Sequence, residues 1–109
     1  MESAKLKQFV IDKVEDLKAK DIVTLEVSEL SNLTDYMVVC SGTSKTHVKA
    51  IAENLVVECK RANLKIIGVE GREGSEWVLV DLGDVILHVM QDKTRDLYEL
   101  EKLWSAKPE

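Results

Sequence analysis

The sequence predicts an α/β fold, a single mixed five-stranded sheet with flanking helices. Apolar residues recur at helical spacing in three segments, and five other segments show the alternation or the short apolar runs that are typical of strands. One helical segment lies between two strand segments, which indicates a crossover between parallel strands, and a later strand pair has the short connection of an antiparallel hairpin. The predicted order is helix, strand, strand, helix, strand, strand, strand, helix.

Length and composition limit the classes of protein to which this chain can belong. The 109 residues predict one domain over residues 1–109, and 45% hydrophobic with 32% charged residues is typical of a soluble globular chain. No run approaches the ~20 apolar residues of a membrane span. The first twenty residues also lack the continuous apolar stretch of a signal peptide. We therefore expect a cytoplasmic protein that does not associate with membranes.

The first half of the chain contains two predicted helices and two predicted strands. Helical spacing runs from about residue 3 to residue 20. In residues 21–27 the side chains alternate between two faces, one of them more polar, which favours a strand near the sheet edge. Residues 35–42 are apolar on both faces and are predicted to form a central strand. Asn63 is a predicted left-handed cap at the end of the second helix. The apolar stripe of that helix comprises Val48, Ile51, Ala52, Leu55, Val56, Cys59 and Ala62.

The second half predicts three strands and a helix. Residues 64–71 form the third strand, and residues 76–90 form two strands joined by a tight turn at Leu82-Gly83. The arm from Val85 to Met90 is apolar on both faces except at His88, so it is predicted to be central. The last helix is predicted from about residue 92 or 94 to Trp104.

The small-residue turn Gly42–Ser44 has two interpretations. Such turns between a strand and a helix hold phosphate in many enzymes, and Lys45 would face the anion. Alternatively, Ser44 or Thr43 caps the helix, at ~1 kcal/mol, and Gly42 takes a positive φ. No Walker pattern or dinucleotide fingerprint accompanies the turn. We expect the structural role, and a small nucleotide-binding or nucleotidyltransferase-like enzyme using this turn remains the alternative.

The other chemically active residue types do not predict a catalytic or metal site. Glu53 and Glu58, the first acids after that turn, are five residues apart and do not share a helical face. Asp81 and Asp84 bracket the predicted hairpin turn, where Asp commonly accepts from turn amides. Two cysteines and two histidines match no metal-ligand spacing, and His88 is expected to be a core or subunit-contact residue. We therefore expect no metal, no cofactor and no enzymatic reaction.

Charge and aromatic residues are unevenly distributed. Residues 44–65 carry five cations and two acids, whereas residues 70–101 carry nine acids and three cations, within a net charge of −5. This balance disfavours a general nucleic-acid binder and favours a basic partner surface. Trp77, Tyr98 and Trp104 lie in the acidic C-terminal part of the chain, and large aromatic residues often anchor interfaces. Trp104 lies on a helix stripe and is expected in the core, whereas Trp77 fits either environment.

Three motifs of the chain resemble one known family. The segments LTDYMVVCSGTS, EWVLVDLGDVILHVM and RDLYELEKLW occur in the order and spacing of the Iojap-like ribosomal silencing factors, and VIDKVEDLKAKDIVTLEV fits that family's N-terminal part. The resemblance covers nearly the whole chain and is closest to the proteobacterial form. It implies an α/β sheet of nucleotidyltransferase-like topology that lacks the catalytic acids.

The resemblance also implies a function without catalysis. Members of the family, often homodimers, bind large-subunit protein fourteen on the large ribosomal subunit. They thereby block joining of the small subunit and repress translation when nutrients are scarce. An acidic factor would reach this RNA-rich particle through a basic protein, so nucleic acid is not expected as the main contact. By motif position, the implied partner-binding residues are Trp77, Asp81, Leu82, Asp84, Arg95, Tyr98 and Glu101.

Overall fold

The computed structural model of the chain describes residues 1–29 and 34–98, with side chains of the last helix described up to Arg95. All eight predicted elements are present in the predicted order. The predicted continuation of the last helix to Trp104 lies outside the described residues. The elements are α1 (Ser3–Asp16), β1 (Lys20–Glu26), β2 (Tyr36–Gly42), α2 (Lys45–Arg61), β3 (Gly68–Glu70), β4 (Trp77–Asp81), β5 (Val85–Gln91) and α3 (Asp92–Tyr98).

The strands form one mixed sheet in the order β1-β2-β5-β4-β3. β2 and β5 pair in parallel, and the other three neighbouring pairs are antiparallel. β1 therefore lies at an edge while β2 and β5 are internal, as the sequence predicts. β2 and β3 run in the same direction, as expected for strands that flank α2, but β5 and β4 lie between them.

Helices α1 and α2 cover one face of the sheet. The core under them contains buried side chains of both helices and alternate residues of the three inner strands. The predicted stripe of α2 is buried except for Ala62, which follows the helix end and is exposed. Asn63 has a φ of 58°, which confirms the left-handed cap. α1 ends earlier than predicted because Lys18 turns left-handed at a φ of 60°.

Both cysteines lie in this core. Burial raises the pKa of Cys40 to about 12 and that of Cys59 to about 11, so both are thiols at neutral pH. Both cysteines are free and buried, an environment in which a thiol is unreactive. Among the described residues, no helix is long and apolar enough to cross a membrane.

The turn from β2 into α2 confirms the predicted cap and corrects the predicted role of its glycine. Ser44 Oγ accepts from the His47 backbone N–H at 3.1 Å. Gly42 does not have a positive φ, so that prediction is wrong. A Cβ at Gly42 would instead lie 2.8 Å from Val48 Cγ2 and 2.9 Å from Val48 N. Glycine is needed here because the first turn of α2 approaches the end of β2 closely.

Candidate partner-binding face

The second face of the sheet carries two of the predicted site residues, Trp77 and Asp81. In β4, Trp77 and Asp81 share this face with Leu79, because side chains alternate along a strand. Their partners in β5 point to the same side of the sheet. We call this patch the β4–β5 face; it comprises Trp77, Leu79, Asp81, Ile86, His88 and Met90.

Burial varies across the β4–β5 face, and Ile86 of β5 is half-buried like the β4 residues. Met90 and His88 are buried, whereas Trp77, Leu79 and Asp81 are half-buried. Trp77 packs on a second, smaller core formed by Val27, Met37, Val39 and Met90. Trp77 therefore belongs partly to a core and partly to the surface, which is why its sequence context fits both environments.

The indole of Trp77 is hydrogen-bonded to His88. Trp77 Nε1 donates to His88 Nδ1 at 2.9 Å, with ring centroids 5.8 Å apart and ring planes tilted by 48°. Burial lowers the pKa of His88 to about 4, so the imidazole is neutral at neutral pH and its Nδ1 can accept. His88 is thus a core residue, one of the two environments expected for it.

The β4–β5 turn lies one residue later than predicted. The Leu82 N–H donates to the Val85 carbonyl at 2.9 Å, which leaves Gly83 and Asp84 between the strands. Gly83 has a φ of +88°, a conformation that favours glycine at the first central position of a hairpin turn. Asp81 Oδ1 accepts from the Gly83 N–H at 2.8 Å, which confirms the expected role of Asp in the turn.

The turn orients its predicted site residues in different directions. Leu82 is buried in the core under the helices, with 8% of its surface exposed. Asp84 is exposed, and its carbonyl accepts from the N–H groups of Asp35 and Tyr36 at 2.9 and 3.0 Å. Of these two residues, Asp84 is the one whose side chain is accessible to a partner.

The site residues predicted in the last helix lie on or beyond α3. Arg95 is buried, and its Nη1 donates to the Asp21 carbonyl at 2.6 Å and to Ser41 Oγ at 2.9 Å. Its guanidinium therefore joins α3 to β1 and β2. Tyr98 ends α3, and its side chain lies outside the described part of the structure. Glu101 also lies outside the described residues.

Acidic side chains border the β4–β5 face. Glu70 of β3 is paired with Leu79, so it lies on the same side of the sheet, and it is exposed. Asp84 extends the acidic border at the turn. Within residues 1–29 and 34–98, neither carboxylate takes part in an ion pair. The face therefore combines half-exposed apolar side chains with uncompensated negative charge.

Sequence reasoning did not assign four residues of this face to the site: Leu79, Ile86, His88 and Met90. The signal for Leu79 was present, since alternation in the segment WVLVD places it between Trp77 and Asp81. Ile86 and His88 become neighbours of β4 only through the hairpin register, with Ile86 opposite Asp81 and His88 opposite Leu79.

Polar groups of the Gly42–Ser44 turn form hydrogen bonds with other groups of the same chain. The Thr43 N–H donates to His47 Nδ1 at 2.9 Å, and His47 Nε2 donates to the Leu17 carbonyl at 2.7 Å. Lys45 lies 4.0 Å from a carboxylate oxygen of Glu76. In the described part of the chain, no group of three or more His, Cys, Asp or Glu side chains could hold a metal ion.

The fold and this face define a class of protein: a small α/β domain with half-exposed apolar and acidic side chains on the sheet face opposite α1 and α2. Comparison with known families identifies which member of that class it resembles. Residues 1–109 match the family described as "Ribosomal silencing factor during starvation", and the chain belongs to this family.

Individual relatives agree with this assignment. The Ribosomal silencing factor RsfS of Haemophilus influenzae is 44% identical over 100 residues, which cover 92% of this chain and 98% of the relative. The protein of the same name from Chromobacterium violaceum is 44% identical over 106 residues, covering 97% and 87%. These findings confirm the predicted family.

Solved structures confirm the predicted fold. A crystal structure of a protein from Chromobacterium violaceum superposes with a TM-score of 0.94 at 44% identity, covering 100% of this chain and 92% of the other. A crystal structure from Bacillus halodurans gives a TM-score of 0.85 at 39% identity, covering 93% and 94%.

Proposed function

We propose that this chain binds the large ribosomal subunit through large-subunit protein fourteen and sterically blocks joining of the small subunit, which represses translation when nutrients are limited. The observation that carries the proposal is the β4–β5 face, where Trp77 and Leu79 stand half-exposed in line with Asp81. The family name of the relatives supports a ribosomal target. The proposal includes a cytoplasmic location and a homodimeric free state.

The chemistry of the face suits a protein partner. An aromatic side chain with apolar neighbours, surrounded by polar residues, is the usual composition of a protein-binding hot spot. The exposed carboxylates of Glu70 and Asp84 at its border favour a basic partner surface. They also repel RNA phosphates, which favours a ribosomal protein over ribosomal RNA as the main contact.

The proposed mechanism needs no reacting group. A ligand that occupies the joining surface of one subunit excludes the other subunit by overlap of volume. The partner-binding residues of this proposal are Trp77, Leu79, Asp81 and Asp84, together with Tyr98 and Glu101. Leu82 and Arg95 support the face from within the fold, since both are buried.

Co-sedimentation with purified large subunits tests the proposal. Wild-type protein is expected to sediment with large subunits and to reduce their reassociation with small subunits. Trp77→Ala is expected to bind about thirty-fold more weakly, since truncation of an interface aromatic commonly costs about 2 kcal/mol. The matched control is Val57→Ala, because Val57 is 44% exposed on α2, away from the β4–β5 face. Thermal melts of both variants separate loss of binding from loss of folding.

Charge substitutions test the basic partner separately. Asp81→Asn keeps an oxygen that accepts from the Gly83 N–H and removes only the charge. Combined with Glu70→Gln, it is expected to slow association at low salt and to have a smaller effect at high salt. An unchanged association rate would contradict the basic partner.

Two outcomes would overturn the proposal. Wild-type protein that does not sediment with large subunits would refute the target, and equal losses in Trp77→Ala and Val57→Ala would refute the face. Titration with nucleotides, with and without magnesium, is expected to give no saturable heat. Micromolar binding abolished by Ser44→Ala would support the nucleotide-binding alternative.

A further inference from the structure

We propose that His88 is a positioning residue, which holds the Trp77 indole from within the sheet in the orientation that the partner contacts. The inference rests on the proposed function, since it assigns a role within the same face. His88 itself is only 5% exposed, so it acts through Trp77 and not by touching the partner.

The hairpin register makes this contact a diagonal one. His88 is paired with Leu79 in β4 and with Val39 in β2, whereas Trp77 is paired with Met90. The Trp77 side chain therefore reaches along the face to the next pair, a distance that aromatic side chains span. The rings are tilted by 48° and not stacked, so the hydrogen bond of 2.9 Å is the directional contact between these two side chains.

His88 Nδ1 accepts from this indole N–H. At the paired positions on both sides, Leu79 and Val39 are apolar and offer no side-chain acceptor. Nδ1 accepts in the neutral imidazole, which leaves the proton on Nε2. An indole N–H satisfied in this way requires no acceptor from the partner at the centre of the interface.

Preordering of Trp77 contributes to affinity. A large side chain that is mobile in the free protein loses conformational freedom on binding, which weakens binding by about two- to tenfold. Packing on the second core holds one edge of the indole, and His88 holds the edge that carries Nε1. Without His88, the indole keeps its area but loses this directional contact at Nε1.

A double-mutant cycle tests this role through binding to large subunits. His88→Phe removes the acceptor while keeping a ring, and Trp77→Phe removes the donor while keeping a ring. His88→Phe is expected to weaken binding about fivefold in the wild-type background and to have no further effect in the Trp77→Phe background. His88→Asn, which keeps an acceptor close to Cβ, is expected to recover most of the affinity. Equal losses in both backgrounds would overturn the proposal and make His88 a general packing residue.

If the His88→Phe variant does not fold, the proposal can still be tested by NMR on the wild-type protein. In ¹⁵N NMR spectra, the Trp77 indole N–H, identified by its absence in Trp77→Phe, is expected to exchange slowly and to show a scalar coupling to His88 Nδ1. A missing coupling would overturn the proposal. Wild-type protein that shows the coupling but does not bind large subunits would refute the proposed function, and with it a role of His88 in binding. Binding with an additive cycle would refute only the role of His88.

Discussion

Arg95 in α3 donates to Ser41 Oγ at the end of β2, at 2.9 Å, and through the same nitrogen to the Asp21 carbonyl of β1, at 2.6 Å. Asp21 has a φ of 49° and lies where the β1–β2 register shifts, so its carbonyl is outside the regular ladder. The buried guanidinium of Arg95 thus donates to a β1 carbonyl that the regular strand ladder leaves without a donor. Arg95, for which the family resemblance implies partner contact, therefore links α3 to β1 and β2 within the fold.

We expect Arg95→Ala to destabilise the fold by about 2–3 kcal/mol, because it leaves the buried Ser41 hydroxyl and the partly buried Asp21 carbonyl without their charged donor. Urea unfolding followed by circular dichroism measures the loss. Lys93→Ala is the control, since Lys93 is an exposed residue of the same helix and its removal is expected to change stability by less than about 0.5 kcal/mol. Unchanged stability of Arg95→Ala together with lost subunit binding would make Arg95 a direct contact.

Gly42→Ala is expected to destabilise the protein by about 1–3 kcal/mol, since the new methyl group would meet the backbone nitrogen of Val48, which cannot rotate away. Gly74→Ala is the matched control, because a Cβ there meets nothing within 4 Å. We expect the Gly74→Ala variant to be as stable as the wild type or slightly more stable. Thermal unfolding of the two variants under one buffer condition gives the comparison. Equal melting temperatures would show that α2 can move away from β2.

Leu87 and Leu79 lie on adjacent strands but on opposite faces of the sheet. Leu87 is fully buried under the helices, so Leu87→Asp is expected to unfold the domain by burying an unpaired carboxylate. Leu79 is half-exposed on the β4–β5 face, so Leu79→Asp is expected to fold and to lose affinity for large subunits. Far-ultraviolet circular dichroism distinguishes the two. A folded Leu87→Asp variant would contradict the central position of β5.

His88 is expected to make stability depend on pH. Burial lowers its pKa to about 4 in the folded protein, against an ordinary value of 6.5, so between these values only the unfolded chain is protonated at this residue. The free energy of unfolding should therefore fall by about 3 kcal/mol as the pH drops from 6.5 to 4, and this contribution should level off below pH 4. Above pH 6.5 His88 contributes no pH dependence.

Urea unfolding between pH 4 and pH 7 measures this dependence, with His88→Asn as the reference. The carboxylates titrate in both proteins, so the difference between the two curves isolates the imidazole. Identical curves would mean that His88 takes up its proton equally in the folded and unfolded states.

The β4–β5 hairpin shows which structural features could be predicted from the sequence and which could not. Apolar residues on both faces predicted the internal position of β5 correctly, because burial on both sides leaves that pattern. A turn centred on Leu82-Gly83, as predicted, would have placed Trp77 directly opposite His88. The turn closes one residue later, since Gly83 takes the positive φ, and Trp77 is opposite Met90 instead.

The remaining differences come from contacts between distant segments. A small residue at Gly42 was predicted to need conformational freedom, whereas it needs space for Val48, and only the path of the chain after the turn reveals that. The burial of Arg95 depends on Asp21 and Ser41, which are far away in the sequence. The α2 stripe up to Cys59 and the burial of β2 and β5 on both faces follow from local patterns, so they were predicted correctly.

The sheet order has a consequence for synthesis of the chain. β5, the last strand to be translated, lies inside the sheet, and it pairs with β2 from Tyr36↔Val85 to Gly42↔Gln91, across roughly fifty residues. Until residue 91 has emerged from the exit tunnel, β2 and β4 lack their shared neighbour, and both helices lack the part of their packing surface that β5 supplies. The nascent chain therefore acquires its core in one late, non-local step, which sets a slow folding rate for a domain of this size.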